Sequence, residues 1–208
     1  MAPARRGILP RPRNLCPRPW FTAIFVLRIT ALPLITILSG TNRPASRARR
    51  VAAYYATLLT ELGAEHQLLD LAELPTDFTS TALYANAGTH PEFNRLADQL
   101  AASSHWVIIV PEYNGSFPGV LKAFIDGLPY PGAFKGKKAA LVGLSSGGQG
   151  GLLAMAHLTD VLMYVGTAVL PQRVRLPFIS QDLDPELGLR QELSRQLVRE
   201  QATALLAF

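Results

Sequence analysis

Short apolar segments alternate with longer segments of helical period along the chain, from about Leu34 onward. Glycine, serine or proline bounds each apolar segment, and the segments between them repeat hydrophobic residues at the spacing of a buried helix face. This alternation predicts βαβ units built around a parallel sheet. The predicted strands cover residues 34–38, 66–71, 106–110, 138–143 and 168–171, and the predicted helices cover residues 46–62, 91–103, 118–127, 151–165 and 185–206.

The predicted strands are apolar over most of their length, as expected for parallel strands that helices cover on both faces. The alternation therefore predicts an α/β domain, a three-layer, doubly wound sheet of five parallel strands. In such a sheet, ligands bind beyond the carboxyl ends of the strands, at the point where the strand order reverses. The loops after the first, third and fourth strands are therefore the expected ligand-binding segments.

Residues 1–31 differ in composition from the rest of the chain. They combine closely spaced prolines and arginines with an apolar run that starts at Trp20, and prolines at this density prevent a helix. Arg28 and Pro33 interrupt the apolar run before it reaches the roughly 20 residues of a membrane span, and we expect neither a membrane segment nor a targeting signal. We expect residues 1–31 to form a disordered or extended leader and residues 32–208 to form the folded domain.

The net charge of +5 is concentrated in this leader. Six of the 20 lysines and arginines lie in residues 1–31, which contain no acidic residue, so the remaining 14 face all 15 acidic residues in the rest of the chain. A nearly neutral domain lacks the clustered basic residues that bind nucleic acid. Nucleic acid is therefore not an expected partner.

One cysteine and four dispersed histidines restrict the chemistry of the domain. Because Cys16 lies in the leader, the domain has no disulfide, no paired redox thiol and no thiolate metal site, and we expect a cytoplasmic protein. The histidines show no HExxH pattern, so no metal site is predicted. Redox activity would therefore depend on a bound cofactor.

The first loop, residues 39–46, joins a buried strand to the start of a helix. Free backbone N–H groups and the positive end of the helix dipole favour an anion there, and Ser39, Thr41, Arg43 and Ser46 add hydroxyls and a guanidinium. The loop has neither the GxxxxGK[ST] nor the GxGxxG pattern, so a phosphomonoester fits better than a triphosphate or a dinucleotide. The alternative is that Ser46 only caps the helix and that Arg43 is only a solvated side chain.

The second loop follows the most hydrophobic strand and reads PEYNGSFPGVLK over residues 111–122. It combines an aromatic residue, Tyr113, with small polar residues and two prolines around Gly115. Such a loop can present backbone groups to a flat heterocycle, with Tyr113 against its edge or face. An ordinary turn between a strand and a helix is the simpler interpretation.

The third loop is rich in glycine and reads SSGGQGG over residues 145–151. Together with GTNRPAS at residues 40–46 and the PEYN segment, it resembles the NADPH-dependent FMN reductase family of flavodoxin-like proteins, which includes quinone, azo-dye and chromate reductases. The resemblance covers about residues 34–177 in the same order and spacing. The PEYN segment is the most specific of the three motifs.

The resemblance implies a flavodoxin-like fold and bound FMN, with NADPH or NADH as co-substrate and a small electron acceptor such as a quinone, azo compound, free flavin or metal oxyanion. It further implies a homodimer or homotetramer, and no catalytic acid or base, because hydride passes through the flavin. The implied phosphate ligands are Thr41, Arg43, Ser46 and the N–H groups up to Arg47, beside Ser39. The implied ring contacts are Pro111, Glu112, Tyr113, Asn114, Gly115 and Ser116 on one side and Ser146, Gly147, Gly148 and Gly150 on the other.

A hydrolase is compatible with part of this pattern. Residues 143–147 read GLSSG, a formal GxSxG, which would make Ser145 the nucleophile. Only His157 follows it among the histidines and no acidic residue lies between the two, so the order of a catalytic triad is missing. Two more functions stay open: a flavodoxin-type electron carrier without NAD(P)H activity, which is usually strongly acidic, and a flavin-free interaction module.

Overall fold

The predicted alternation of strands and helices is present in the computed structural model, which describes residues 32–208. The strands are β1 (Ile35–Ser39), β2 (His66–Asp70), β3 (His105–Pro111), β4 (Lys138–Leu144), β5 (Ala168–Val169), β6 (Val174–Leu176), β7 (Leu183–Asp184) and β8 (Gly188–Leu189). The α-helices are α1 (Arg47–Glu61), α2 (Phe78–Thr81), α3 (Pro91–Ala101), α4 (Gly119–Gly127), α5 (Leu152–Tyr164), α6 (Ile179–Asp182) and α7 (Glu192–Ala207). Two 3₁₀ turns, Leu71–Glu73 and Tyr84–Asn86, lie between β2 and α3.

The main sheet is parallel and has the strand order β2-β1-β3-β4-β5. The order reverses at β1, which pairs with β2 on one side and with β3 on the other. Every residue of β1 and β3 is buried, because helices cover both faces of the sheet. The flavodoxin-like, doubly wound fold predicted from the sequence is confirmed.

Successive side chains of β3 point to opposite faces of the sheet and belong to two separate hydrophobic cores. Trp106 and Ile108 pack with α3, α4 and α5, where the rings of Phe93 and Phe124 lie 5.5 Å apart. Val107 points to the other face and packs in the core under α1 and α7. The two cores hold the sheet rigid from both sides and fix the positions of the loops at its carboxyl edge.

The fifth position of the sheet is built from two short strands. The sequence predicts one strand over residues 168–171, but β5 ends at Val169 and Pro171 follows, which has no N–H to donate to a ladder. The chain then returns as β6 and pairs with residues 142–144 of β4. This second strand brings Arg175 and Phe178 to the carboxyl end of the sheet.

The start of the last helix is predicted wrongly. The sequence predicts a helix from Pro185, but α7 begins at Glu192, seven residues later. Residues 185–187 instead form the turn between the antiparallel strands β7 and β8, in which the Asp184 carboxylate accepts hydrogen bonds from the N–H groups of Glu186 and Leu187 at 2.9 Å. This side-chain-capped turn competes with the helix for the same backbone groups.

No helix within residues 32–208 combines the length and the apolar character needed to cross a bilayer. The predicted leader, residues 1–31, lies outside the described residues.

Candidate flavin-binding site

The first loop begins where β1 approaches β3 at close range. The N–H of Gly40 donates a hydrogen bond to the Ile109 carbonyl at 3.0 Å. A Cβ at this position would lie only 2.8 Å from the same oxygen, so a residue with a side chain would push the two strand ends apart. Gly40 therefore fixes where the loop leaves the sheet.

Helix α1 begins immediately after this loop, at a sequence-encoded cap. The Ser46 hydroxyl oxygen accepts a hydrogen bond from the Arg49 N–H at 3.1 Å, so Ser46 is the predicted N-cap. The first turn of α1 carries no acidic residue. With the free N–H groups of the helix end, this leaves a site that favours an anion.

Several arginines surround this helix end. Arg43, Arg47 and Arg50 line a cleft beside it, whereas Arg49 is drawn away by an ion pair with Asp70, with 3.3 Å between Nε and the carboxylate. The domain is nearly neutral as a whole, but its positive charge is locally concentrated here. This concentration matches a phosphate group rather than an extended nucleic acid.

The second loop is a tight turn whose sequence dictates its shape. Asn114 and Gly115 have φ values of +51° and +76°, and Tyr113 and Ser116 exchange two backbone hydrogen bonds of 2.8 and 3.0 Å. Positive φ at both central residues defines a two-residue type I′ (primed) turn, for which Asn-Gly is the preferred pair. The turn holds the Tyr113 side chain at a fixed position beside the first loop.

Side-chain hydrogen bonds join the first loop to the other two. The hydroxyls of Thr41 and Tyr113 lie 2.9 Å apart, and the Thr41 hydroxyl oxygen also accepts from the Arg43 N–H at 3.3 Å. The Arg47 guanidinium donates to the Ser146 hydroxyl of the third loop at 3.4 Å. The three loops singled out by the sequence therefore form one connected rim.

The third loop packs closely against the end of β4 because of its glycines. A Cβ on Gly143 would lie 2.7 Å from the Gly150 carbonyl oxygen, and one on Gly151 would lie 2.6 Å from the Gly143 Cα. Gly150 and Gly151 also have φ values of +60° and +78°, which disfavour a side chain. The repeated glycines thus permit both the close approach of the third loop to β4 and its positive φ values.

The hydrolase hypothesis is not supported by the position of Ser145. Its hydroxyl donates to the Gly147 carbonyl at 2.7 Å and accepts from the Gly150 N–H at 2.8 Å, so it stabilises the third loop. His157 instead contacts the Ser116 hydroxyl through Nδ1 at 3.0 Å. Neither member of the required serine and histidine pair contacts the other.

The three loops enclose a cleft of about 300 Å³ at the carboxyl edge of the sheet. It lies where the strand order reverses, between β1 and β3. More than half of the predicted site residues line it: Thr41, Arg43, Ser46, Arg47, Pro111, Glu112, Tyr113 and Ser146.

The remaining predicted residues lie in the same loops without lining the cleft. Ser39 and Gly150 are buried beneath it. The others occupy the exposed or half-buried parts of the second and third loops: Asn114, Gly115, Ser116, Gly147 and Gly148.

Some cleft residues carry no recognisable sequence signal. Arg50 reads as an ordinary exposed residue of an amphipathic helix, and Ile179 comes from α6, a single helical turn outside every motif. Leu144 lines the cleft as the last residue of β4, and Ser145 as the first residue of the third loop. Pro44, Ala45 and Ala48 line the cleft simply because they neighbour the predicted phosphate ligands.

The residues present fit a flavin mononucleotide. The cleft volume is at the lower end of the range for small-molecule sites, roughly 300 to 1,000 Å³, and one end is cationic. Within residues 32–208, Oε2 of Glu112 and the Ser39 hydroxyl are buried without hydrogen-bond partners. A cleft-lining carboxylate oxygen of this kind can accept a hydrogen bond from a ring N–H, as a flavin would provide.

A parallel sheet of this strand order, with an arginine-lined cleft at its reversal point, defines an α/β protein of the flavodoxin-like class. The chain belongs to the NADPH-dependent FMN reductase family, whose model matches residues 33–180. Family membership makes it an FMN- and NAD(P)H-dependent oxidoreductase, as the sequence motifs predicted.

Individual relatives extend the similarity over most of the chain. An NAD(P)H-dependent FMN reductase of Pseudomonas aeruginosa is 30% identical over 171 residues, which are 81% of this chain and 90% of that protein. An NADPH azoreductase of a Bacillus species is 29% identical over 84% of this chain and 91% of its own length. Among solved structures, the flavoenzyme NAD(P)H:acceptor oxidoreductase FerB of Paracoccus denitrificans superimposes with a TM-score of 0.70, at 26% identity, over 85% of this chain and 96% of that one.

Proposed function

We propose that the cleft holds FMN and that the enzyme transfers hydride from NAD(P)H to a small organic acceptor of the quinone or azo class. The observation that carries this proposal is the meeting of three loops around a cleft whose arginine-lined end is also the N-terminus of α1. The azoreductase relative supports the acceptor class, since it aligns over most of its length. When bound, FMN would supply the hydride chemistry, because no protein side chain can do so.

At the phosphate end, the proposed ligands have hydrogen-bond donors that are available to a phosphate. The Ser46 oxygen already accepts from Arg49 N–H, so its own O–H is free to donate to a phosphate oxygen. Arg43 and Arg47, which line the same cleft, add charged donors. A dianionic phosphate would therefore meet hydroxyl, guanidinium and backbone donors together.

At the ring end, the protein acts by positioning rather than by acid–base catalysis. The primed turn at residues 113–116 is held by its own hydrogen bonds, and the third loop is held by Ser145. Both loops would meet a flat ring system with backbone groups at fixed geometry. Such preorganisation contributes to catalysis by holding the reacting atoms together and in the correct orientation.

We also propose that the enzyme works as a homodimer or homotetramer in the cytoplasm, where nicotinamide cofactors are available. Helix α5 supports the assembly: its residues Met155 and Leu158 are buried, but Met163 and Tyr164 near its end are 63% and 86% exposed. Sedimentation equilibrium tests this part, with a subunit mass of 22.6 kDa as the result that contradicts it.

The proposed activity is tested by spectroscopy of the purified protein. We expect it to take up FMN at micromolar concentration, to lose the flavin colour when NADPH or NADH is added under nitrogen, and to regain it when a benzoquinone is added. A protein that takes up no FMN contradicts the whole proposal. Uptake without bleaching would make the chain an electron carrier instead.

A further inference from the structure

The glycine-rich third loop is pinned from the β6 side by hydrogen bonds to three consecutive carbonyl groups. The Phe178 N–H donates to the Gly147 carbonyl at 3.0 Å. Arg175 of β6 donates from Nε to the Gln149 carbonyl at 2.9 Å and reaches the Gly148 carbonyl from Nη2 at 3.5 Å. The 2.9 Å contact is a full hydrogen bond and the 3.5 Å contact a marginal one.

These bonds determine where the loop's N–H groups point. A peptide unit is planar and trans, so its N–H points away from its carbonyl oxygen. Because the carbonyls of residues 147–149 face β6, the N–H groups of Gly148, Gln149 and Gly150 point away from β6. Gly148 and Gln149 are exposed and closely follow Ser146, which lines the cleft, so a ring that extends beyond the cleft would meet them. Gly150 N–H donates to Ser145, whereas the N–H groups of Gly148 and Gln149 have no acceptor within the described part of the chain.

Two adjacent N–H groups without an acceptor can together donate to one negatively charged group. The guanidinium of Arg175 lies behind it and adds a positive charge on the carbonyl side. The loop can pack closely against β6 because residue 150 is glycine. A Cβ there would lie 3.0 Å from Pro177 N and 3.1 Å from Arg175 Cβ. Arg175 therefore contributes to the donor geometry of the loop, together with the Phe178 N–H, the Ser145 hydroxyl and the Leu152 N–H, which donates to the Gln149 carbonyl at 3.3 Å.

We infer that Arg175 is a positioning residue that holds the N–H groups of Gly148 and Gln149 toward the flavin and so favours reduced over oxidised FMN. The inference rests on the proposed FMN site. Reduced flavin gains two electrons and carries negative charge on the pyrimidine ring, so donors and positive charge beside that ring stabilise it more than the neutral oxidised form. Arg175 acts through the loop and touches no reacting atom.

The test measures the two-electron reduction potential of FMN bound to the wild type and to Arg175→Met. Arg175→Met removes the charge and both hydrogen bonds but keeps the aliphatic stem. We expect reduced FMN to lose threefold to tenfold more affinity than oxidised FMN, which lowers the potential by about 15 to 30 mV at 29.6 mV per factor of ten. Arg175→Lys, which keeps the charge and one donor, should lie between the two.

Arg173→Met is the matched control, because Arg173 is an exposed arginine two residues earlier and the variant has the same net charge. We expect it to keep the wild-type potential. An equal shift in both variants would overturn the inference, because it would show that only the net charge of the protein sets the potential. An unchanged potential in Arg175→Met would also overturn it and show that Arg175 only packs against the loop.

A second measurement needs no flavin. Amide hydrogen exchange in the apo protein should be faster at Gly150 and Phe178 in Arg175→Met than in the wild type or Arg173→Met, because these two N–H groups are hydrogen-bonded in the loop and the loss of the Arg175 bonds loosens it. Unchanged exchange overturns the inference whatever the flavin result. Failure of the wild type to bind FMN would contradict the proposed function instead, so the two failures are distinguishable.

Discussion

The hydroxyl groups of Thr41 and Tyr113 lie 2.9 Å apart and connect two loops that are 72 residues apart in the chain. Thr41 is 1% exposed and directly follows Gly40, where the first loop approaches β3. Tyr113 belongs to a turn that is held by its own backbone hydrogen bonds. The bond therefore links the proposed phosphate end of the cleft to its ring end. It thereby joins the two ends of the proposed flavin site directly.

Tyr113→Phe tests this link. The buried Thr41 oxygen keeps the Arg43 N–H as a partner, so the variant should lose only about 0.5 to 1.5 kcal/mol of unfolding free energy, the usual net value of one hydrogen bond. FMN affinity should fall severalfold, because the loops are less well held. Urea unfolding and fluorescence titration with FMN measure the two effects.

The controls for this prediction are Tyr84→Phe and a double-mutant cycle. Tyr84 is 83% exposed, and its variant should match the wild type in both measurements. In the cycle with Thr41→Val, we expect a coupling energy of at least about 0.5 kcal/mol, as for residues in direct contact. Fully additive effects would show that the two hydroxyls do not interact.

Asn114→Leu tests whether Asn114 shapes the turn. With φ at +51°, leucine should cost the apo protein about 1 kcal/mol, because left-handed backbone is unfavourable for residues with a Cβ and asparagine tolerates it best. For a domain of this size, that corresponds to a decrease in Tm of roughly 2 to 4 °C. An unchanged Tm would contradict this account of the turn.

Asn114→Gly separates the turn from ligand binding. Glycine accepts positive φ without strain, so the variant should keep the Tm of the apo wild type within about 1 °C. If the Asn114 amide binds the flavin edge, FMN affinity should still fall. Wild-type affinity in Asn114→Gly would leave Asn114 as a turn residue only.

The stability of the apo protein should depend on pH through His105. Burial, with the Lys138 ammonium as the second cause, lowers the pKa of His105 below its ordinary value of 6.5. Below pH 6.5 the unfolded chain therefore binds a proton that the folded protein resists, so stability is complete above this pH and decreases as the pH falls below it.

Urea unfolding midpoints of the wild type and His105→Gln, measured at about pH 7.5 and about pH 5.5, test this sign. The wild type should lose more stability than the variant on going to the lower pH. Parallel losses in both proteins would show that His105 makes no contribution to the pH dependence.

The fold follows from the sequence because its signals are local and repeated. Strands such as β3 are apolar at almost every position, which only burial on both faces explains, and the cap at Ser46 marks the start of α1 to the residue. The motif loops then follow from topology, since the carboxyl ends of parallel strands share one edge. Eight predicted site residues accordingly line one cleft.

The parts that sequence reasoning missed depend on contacts between distant segments. Strand β6 has three residues and is defined by its pairing with β4, and helix α6 has four residues, too few for any periodicity. Their contributions to the site, Arg175 and Ile179, could therefore not be found from a motif. The late start of α7 has a similar cause, because the turn at Asp184 is recognisable only once β7 and β8 pair.

The central claim, that a phosphomonoester binds at the N-terminus of α1, is tested most directly by titrating FMN and riboflavin into the wild type and Arg43→Ala. The two ligands share the ring system, but only FMN carries the phosphate. A hydrogen bond to a charged group contributes roughly 1.5 to 3 kcal/mol, so Arg43→Ala should weaken FMN by about ten- to hundredfold and leave riboflavin unchanged. Arg95→Ala, which removes an arginine paired with Glu73 on the surface, is the matched control and should change neither. Equal losses for FMN and riboflavin, or no loss for either, would contradict the placement of the phosphate beside Arg43.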